Sequence, residues 1–410
     1  MTRYARALAG LLLACCLLLV PAWAWAEASL GLDVSGRILG PRGGPVVGAL
    51  LSDGVDAVLS GKDGRFSLAS APGRVLALAA PAGYRAPQTW WWPVDQAARR
   101  PLIIRLKSAP PPQGPLRLAL LSDPHLFDPT APPARFTPPA DKLDVPLATW
   151  KRAAARLRSL APDLTLVTGD LCADGDKGPP EHLQAQLALA ARALDMLPRP
   201  YRALPGNHDV RYHKGRVILA PWRRRLGPAR QVFFLPGAAV IMLDNLAIST
   251  SQGKPRNCGA LPEEALAWLK NVLELIPPQT PLILASHFPL ASPLAGANPL
   301  LYQPLVQSLT GPGPALRNTD QQAQKILGLI RDRPILALLN GHEHAFQESY
   351  LHARRQTLHL VGIPAFCGGW WRGDRTWGAL KFPPGYLLLS YDGAISINTP
   401  LRIRFYETQP

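Results

Sequence analysis

The chain has 410 residues, a formal net charge of +16 and a hydrophobic content of 47%. This length exceeds one ordinary domain and predicts two or three, and the apolar content excludes an intrinsically disordered chain. A basic surface attracts anions such as phosphorylated metabolites, nucleic acid or acidic lipid headgroups. The densest basic stretch, Trp222–Arg230, lacks interleaved aromatic residues, so no specific nucleic-acid binding is expected.

The first 26 residues have the layout of an export signal. Arg3 and Arg6 precede an apolar run, and Ala24–Ala26 fits a cleavage site. The run is short for a membrane span of about 20 residues, so cleavage is favoured over an uncleaved anchor. Lipoprotein anchoring at Cys15 is a minor alternative, because the apolar run continues past that residue. Cleavage would leave a periplasmic or secreted protein, without a stable membrane span and with a charge of about +14 after the loss of two arginines.

Residues 27–108 are predicted to form a small β-sandwich. Short apolar runs alternate with Gly, Pro, Asp and Ser, and Asp53-Gly54 and Asp63-Gly64 are hairpin signals because Gly accepts positive φ. The spacing is typical of a sandwich and resembles carboxypeptidase-regulatory-like or transthyretin-like modules. The run Trp90–Trp92 is interpreted as an interdomain or core cluster. A stiff, proline-rich linker over 109–115 then predicts a domain boundary.

Residues 116–363 alternate between apolar strands and helical segments. The run Leu116–Leu121 is typical of a strand buried on both faces, and Pro262–Ile276 has helical periodicity with acidic residues in its first turn. Such alternation predicts an α/β core with largely parallel strand pairing. Residues 364–410 are rich in tryptophan and β-forming residues, and they predict a C-terminal β segment.

Five cysteines are present, and Cys172, Cys258 and Cys367 lie outside the predicted signal. Three widely spaced cysteines make neither a disulfide framework nor a CxxC metal site. One pair could form a disulfide in an oxidising compartment, and the sequence leaves the pairing open.

Side chains that bind metals follow five of the predicted strands, at the point where each strand ends. Sites in α/β sheets form at the carboxyl ends of strands, so we expect these side chains to converge. The two histidines of Gly341–His344 face the same way if the chain there is extended. Carboxylates, imidazoles and one amide suit first-row divalent ions, whereas a structural zinc site would use thiolates. The candidates are Asp123, His125, Asp170, Asn207, His208, Asp209, His287, His342 and His344.

These motifs resemble the pattern DxH, GD, GNH(D/E), H and GHxH of the calcineurin-like metallophosphoesterases. The resemblance covers residues 116–363, and the flanking regions are similar to those of a bacterial secreted subgroup with an N-terminal β-sandwich and a C-terminal β segment. It implies a four-layer α/β/β/α core with two divalent ions. Mn, Fe, Zn and Co all suit this set of ligands, so the metal is not identified. One ion would be held by Asp123, His125, Asp170 and His344, and the other by Asp170, Asn207, His287 and His342.

The resemblance also implies hydrolysis by a metal-bound hydroxide that attacks phosphorus in line with the leaving group. His208 would stabilise or protonate the leaving oxygen, and Asp209 would orient His208. Ala173 stands where purple acid phosphatases carry a ligand tyrosine. The arginine that follows GD in protein Ser/Thr phosphatases is also missing. The pattern is closer to phosphodiesterase-like and broad-substrate members.

The expected function is therefore an exported dinuclear-metal phosphoesterase that acts on a small anionic phosphate ester, with phosphodiesters favoured. A phosphomonoesterase of the same fold and a non-catalytic, metal-containing binding protein are the alternatives, and the charge also suggests a nuclease. Candidate substrate contacts are Trp370, Trp371 and Arg372, through ring stacking and phosphate binding. The alternative for the two tryptophans is that they pack the C-terminal segment on the core.

Overall fold

The computed structural model describes residues 31–109, 114–134, 145–176, 178–249, 256–292, 322–352, 356–366, 376–377, 380–391 and 401–408. The predicted export signal and the candidates Trp370, Trp371 and Arg372 lie outside these residues. Cys172 and Cys258 are buried free thiols, whereas Cys367 lies outside the described ranges. No helix in the described part is long and apolar enough to cross a membrane.

Strands outnumber helices in these ranges. In chain order, the strands are β1 (Leu32–Leu39), β2 (Leu50–Ser52), β3 (Ala57–Leu59), β4 (Arg65–Ser70), β5 (Val75–Ala79), β6 (Tyr84–Arg85), β7 (Trp91–Pro93), β8 (Leu102–Arg105), β9 (Lys107–Ser108), β10 (Leu116–Leu121), β11 (Leu164–Val167), β12 (Tyr201–Ala203), β13 (Arg211–His213), β14 (Arg216–Ile218), β15 (Gln231–Leu235), β16 (Ala238–Leu243), β17 (Leu246–Ser249), β18 (Arg256–Gly259), β19 (Leu282–Ser286), β20 (Ile335–Asn340), β21 (Gln347–His352), β22 (Thr357–Gly362), β23 (Thr376–Trp377), β24 (Leu380–Lys381), β25 (Gly385–Tyr391) and β26 (Arg402–Glu407). The helices are α1 (Val94–Ala97), α2 (Val145–Leu160), α3 (Pro180–Leu194), α4 (Ala220–Leu226), α5 (Glu263–Leu275) and α6 (Ala323–Ile330).

The N-terminal β region, residues 31–108, contains a three-stranded sheet (β4-β1-β8), a four-stranded sheet (β3-β2-β5-β7) and the pair β6-β9. Strand β4 alternates exposed and buried residues, as a sheet with one face on a core requires. One hydrophobic cluster includes residues from both larger sheets. Gly54 and Gly64 have positive φ, as predicted for turns. Asp53-Gly54 joins the antiparallel strands β2 and β3 in a hairpin, whereas Asp63-Gly64 joins β3 and β4, which lie in different sheets.

Two mixed sheets form the centre of the α/β core. The first has the order β12-β11-β10-β25-β26, and the second has the order β15-β16-β19-β20-β22-β21. Strands β10, β11 and β12 are parallel, as are β16, β19, β20 and β22. The predicted parallel pairing is therefore confirmed, with antiparallel strands at or near the sheet edges.

Three hydrophobic clusters account for the apolar runs of these strands. One joins side chains of the two sheets. A second packs the first sheet against α2, α3 and α4, and a third packs the second sheet against α5 and α6. Strands with apolar contacts on both faces need continuous apolar sequences.

The N-terminal β region packs directly on the core. Leu50 and Ala57 belong to the same cluster as α5, and Trp268 Nε1 of α5 donates a hydrogen bond to Ser52 Oγ at 2.7 Å. Arg230 donates to the Gly54 carbonyl at 2.9 Å while it forms a buried ion pair with Asp244 at 2.6 Å. These contacts join the two parts through buried polar groups as well as apolar surface.

Candidate metal centre

The carboxyl ends of five strands place the predicted ligands together. Asp123 and His125 follow β10, Asp170 follows β11 and Asn207 follows β12, so the first sheet supplies four ligands. The second sheet supplies His287 after β19, and His342 and His344 after β20. The His, Asp and Glu side chains able to hold an ion form two groups that share Asp170. These are Asp123, His125, Asp170 and His344, and Asp170, His287 and His342.

The first group has its ligand atoms within a few ångströms. His125 Nε2 and His344 Nε2 are 3.1 Å apart, and His344 Nε2 is 3.2 Å from Asp123 Oδ1. His125 Nε2 lies 3.9 Å from Asp170 Oδ2. All four side chains are nearly or completely buried. Two imidazoles and two carboxylates around one point suit a divalent ion.

The second group includes Asn207 through its amide oxygen. His287 Nε2 lies 3.3 Å from Asp170 Oδ2 and 3.1 Å from Asn207 Oδ1. His287 Nδ1 is 2.8 Å from the Thr168 carbonyl, which fixes it as the protonated nitrogen and leaves Nε2 as the ligand atom. Asp170 Oδ2 therefore faces both groups, while Asp170 Oδ1 accepts the His208 N–H at 2.8 Å. The donor set would suit a divalent ion at each group, with Asp170 common to both groups.

Burial and mutual electrostatics set the protonation of these groups. Burial disfavours charge on Asp170, but the imidazoles of His287, His208 and His125 outweigh it and hold its pKa well below the usual range. The pKa of Asp123 is lowered in the same way, by His344 and His287 against burial. Burial lowers the pKa of His125 to about 3. Ionised carboxylates and a neutral imidazole are the protonation states that bind metals.

His287 carries a proton in the absence of a cation. Burial opposes its charge, but Asp170 and Asp123 raise its pKa to about 9. A metal ion would replace this proton, so binding at the second group releases one proton at neutral pH.

Most of the ligand residues have strained backbones. Seven non-glycine residues in the described ranges have positive φ, and five of them are Asp123, His125, Asp170, His342 and His344. Left-handed conformations cost free energy and persist at functional sites where the surroundings enforce them.

The same observation corrects the expectation of an extended chain at His342 and His344. Strand β20 ends at Asn340, and the two histidines have φ of 66° and 57°. The chain bends instead of alternating, and each histidine belongs to a different ligand group.

The glycines before the ligands leave room for them. A Cβ on Gly206 would lie 2.1 Å from Asp170 Oδ1, and a Cβ on Gly341 would lie 2.0 Å from Ser122 Oγ and 2.8 Å from Asp123 Oδ2. Any side chain at either position would displace a carboxylate of the site. Glycine is therefore required at Gly206 and Gly341 because other atoms of the site lie too close for a side chain.

The structure changes the partner expected for His208. Its Nδ1 lies 3.1 Å from Asp176 Oδ1, and its side chain is 18% exposed beside His125. Asp209 instead accepts backbone N–H groups of Gly206, Leu171 and Cys172 at 2.8–3.1 Å. Asp209 thus fastens the loop after β11 to the loop after β12, and the carboxylate that faces the His208 ring is that of Asp176.

Three further residues near the site were not identified from sequence. Asp176 closes the acidic stretch Gly169–Asp176, which holds three aspartates and was a usable signal. Phe288 packs its ring 4.0 Å from that of His342. The Asn245 amide both donates to the Phe288 carbonyl and accepts its N–H, at 2.8 and 3.1 Å. Asn245 lies outside the sequence motifs, so nothing in the sequence around it indicates that it contacts the site.

Known proteins are similar to this chain in sequence or in fold. The Nostoc sp. protein 3′,5′-cyclic-nucleotide phosphodiesterase is 28% identical over 240 residues, which are 57% of this chain and 74% of that protein. A dimetal phosphatase structure from Danio rerio matches 71% of this chain and 99% of its own, at 12% identity and a TM-score of 0.43. Purple acid phosphatase PPD1 from yellow lupin seeds matches 92% of this chain and 67% of its own, at 14% identity and a TM-score of 0.47.

The family assignment rests on the catalytic region. The sequence model of the calcineurin-like phosphoesterases matches residues 116–346, more than half of the chain. This span contains the seven predicted ligands and both ligand groups. The chain therefore belongs to the calcineurin-like phosphoesterase family and is a metal-dependent hydrolase of phosphoric esters.

Proposed function

We propose that this protein is an exported phosphodiesterase that holds two divalent ions and hydrolyses a small anionic phosphodiester. The observation that supports it most is the pair of ligand groups that share Asp170. One ion would be held by Asp123, His125, Asp170 and His344, and the other by Asp170, Asn207, His287 and His342. Such a pair of ions supplies Lewis acidity toward the phosphoryl oxygens and activates water.

The side chains of this chain position the reaction around the ions. Asp170 and Asp123 are ionised and buried. Their negative charges would therefore offset part of the positive charge of the bound ions. Their backbones have positive φ, and Gly206 and Gly341 approach their carboxylates closely. Surroundings that enforce such a conformation keep the ligand positions fixed before substrate arrives. A fixed site lowers the cost of reorganisation during the reaction.

His208 is the proposed general acid. It is the partly exposed histidine beside the first ligand group, and Asp176 faces its Nδ1. A carboxylate at Nδ1 holds the proton there and favours the cationic ring, so that Nε2 can donate to the leaving oxygen. Asp176 thus takes the orienting role, and Asp209 shapes the loop that carries His208.

Two observations favour a diester as substrate. The Nostoc relative is named for 3′,5′-cyclic nucleotides, which are phosphodiesters. In addition, Ala173 is buried and offers no metal ligand where a purple acid phosphatase has its tyrosine. A monoester substrate and a binding protein without turnover remain the competing functions.

The decisive experiment compares two chromogenic substrates. Purified protein, prepared without chelator and supplied with Mn²⁺, should hydrolyse bis-p-nitrophenyl phosphate faster than p-nitrophenyl phosphate. Asn207→Ala should lose this activity while keeping its circular dichroism spectrum. Faster monoester hydrolysis would indicate a phosphatase. Bound metal without turnover on either substrate, or on cyclic nucleotides, would favour the binding protein.

The general-acid role has a separate test. His208→Ala should keep both metals but slow diesters with poor leaving groups more than those with good ones. Asp176→Asn should show the same dependence with a smaller effect. An equal loss for good and poor leaving groups would contradict the assignment.

The proposal includes the expected domain organisation and export. Residues 27–108 would form the sandwich, 109–115 the linker, 116–363 a four-layer catalytic domain and 364–410 the C-terminal β segment. Trp370, Trp371 and Arg372 stay candidates for substrate contacts. For export, the mature protein should begin at Glu27 in N-terminal sequencing, and an acylated Cys15 at the N-terminus would show a lipoprotein.

A further inference from the structure

A groove of about 500 Å³ separates part of the N-terminal β region from the α/β core. It lies at the first sheet's edge strand β12 and is lined from one side by the tryptophans around β7 and from the other by α3, α4 and β12. This volume is typical of small-molecule sites. The residues that form the proposed site are Trp90, Trp91, Trp92, Arg199, Arg202 and Arg225.

Arg202 is a buried cation at the back of this groove. It is only 4% exposed, and its guanidinium lies 3.7 Å from the centre of the Trp90 ring and 4.8 Å from that of Phe233. Its NH1 donates to the Tyr201 carbonyl at 2.8 Å. Within the described residues, its buried Nε has no hydrogen-bond acceptor and no carboxylate forms an ion pair with it.

A buried arginine without a counterion is unfavourable. Burial lowers the pKa of Arg202 to about 9. The two aromatic rings compensate part of the lost hydration through cation–π contacts, but they cannot satisfy the N–H donors. An oxyanion bound in the groove would supply the missing countercharge.

The rim of the groove is positively charged, like Arg202. Arg199 and Arg225 are exposed on the lining, and Asp195, which binds Arg199 at 2.7 Å, is the single carboxylate there. Three guanidinium groups and one carboxylate leave a net charge of +2 (3 − 1). Trp91 and Trp92 are only partly buried, so flat aromatic surface stands next to the cationic end.

We propose that this groove is a second binding site, for a flat-ring molecule that carries a phosphate-type dianion. The dianion binds at Arg202 and Arg225, and the ring packs against the tryptophans. The site is separate from the metal centre, because neither Asn207 nor any residue of the two ligand groups lines the groove. The inference does not depend on the proposed substrate, although the monoester product of a phosphodiesterase belongs to this ligand class.

Phenylphosphonate is a suitable probe, since its C–P bond resists hydrolysis. It would be titrated calorimetrically into the full-length protein in EDTA, so that the metal centre does not contribute, with circular dichroism to verify the fold. We expect one saturable site per chain and weaker binding of methylphosphonate, which has no ring. Arg225→Glu, on the exposed rim, should weaken phenylphosphonate binding at least tenfold, and Arg202→Met should do the same.

The matched control is Arg404→Glu, an exposed arginine on β26, the opposite edge strand of the same sheet. It should leave binding unchanged. Absence of saturable binding up to millimolar phenylphosphonate, or an equal loss in Arg225→Glu and Arg404→Glu, would overturn the site. Equal affinity for the two phosphonates would overturn the role of the ring. If Arg202→Met does not fold, Arg225→Glu still decides the question.

Discussion

Gly206→Ala adds one methyl group against the shared ligand of the metal centre. The new Cβ would lie 2.1 Å from Asp170 Oδ1 and 2.3 Å from Asp170 N, whereas real Cβ contacts essentially never fall below 3.0 Å. The loop or the carboxylate must therefore move by at least 0.9 Å (3.0 − 2.1). Gly206 does not have positive φ, so the effect is steric and not one of backbone strain.

The displaced group matters because Asp170 belongs to both ligand groups. A shift of about 1 Å at a catalytic centre lowers the rate roughly 100-fold, which is about 2.7 kcal/mol of transition-state stabilisation. Disturbed ligand geometry also weakens metal binding by about 10- to 100-fold. We therefore expect Gly206→Ala to fold and to lose about two orders of magnitude in kcat/KM together with part of its metal.

The assay measures bis-p-nitrophenyl phosphate hydrolysis and metal content by mass spectrometry at several metal concentrations. The control is Gly328→Ala in α6, where an added Cβ meets no atom within 4 Å. This control should keep full activity and gain up to about 1 kcal/mol of stability from the helix propensity of alanine. Wild-type metal affinity and kcat/KM in Gly206→Ala would refute the close-approach argument.

Three further predictions test other parts of the structure. His344→Ala and His287→Ala each remove a ligand from one group only, so metal analysis should show about one ion per chain in place of two; loss of neither ion would contradict the two-group assignment. Burial alone would raise the pKa of Asp53, but hydrogen bonds from two backbone N–H groups, a serine and an arginine outweigh it and lower the folded-state pKa. The ionised carboxylate therefore stabilises the folded protein above its unfolded pKa of about 3.9. This contribution is lost as the pH falls through the folded-state pKa. Asp53→Asn should cost about 1–3 kcal/mol in urea unfolding at pH 7, and the difference from wild type should shrink below about pH 4; a difference independent of pH would refute the ionic contribution. Arg230→Ala leaves a buried carboxylate unpaired and should cost about 3–5 kcal/mol, whereas Arg331→Ala, in an exposed pair, should change stability by under about 1 kcal/mol.

The sequence predicted which polar side chains converge, because each of them follows the end of a strand. The runs before Asp123, Asp170 and His287 are largely apolar, as is typical of strands buried on both faces. Once these are parallel strands of a sheet, the residues after them must share an edge. The convergence of distant motifs thus followed from hydrophobic pattern and topology together.

Local backbone geometry and remote contacts were harder to predict. Periodicity suggested an extended chain at His342 and His344, but both are left-handed, because tertiary contacts impose a conformation that their intrinsic preferences disfavour. The family resemblance implied that Asp209 orients His208, yet Asp209 accepts hydrogen bonds from three backbone N–H groups. The pairing of Asp176 with His208 depends on how two loops meet, which no single segment encodes.

The division of the candidate ligands between the two sheets would give bound metal ions a second role, in stability. Group one combines three residues of the first sheet with His344 of the second, and group two combines Asp170 and Asn207 of the first with His287 and His342 of the second. Each ion would therefore cross-link the carboxyl ends of both sheets. An ion that binds only the folded chain stabilises it by about 2.7 kcal/mol at 100 times its dissociation constant. With ions bound, the buried carboxylates would no longer repel one another and would contribute to stability. The chemistry of the site and the association of the two sheets would therefore depend on the same loops, those that follow the strands and carry the candidate ligands.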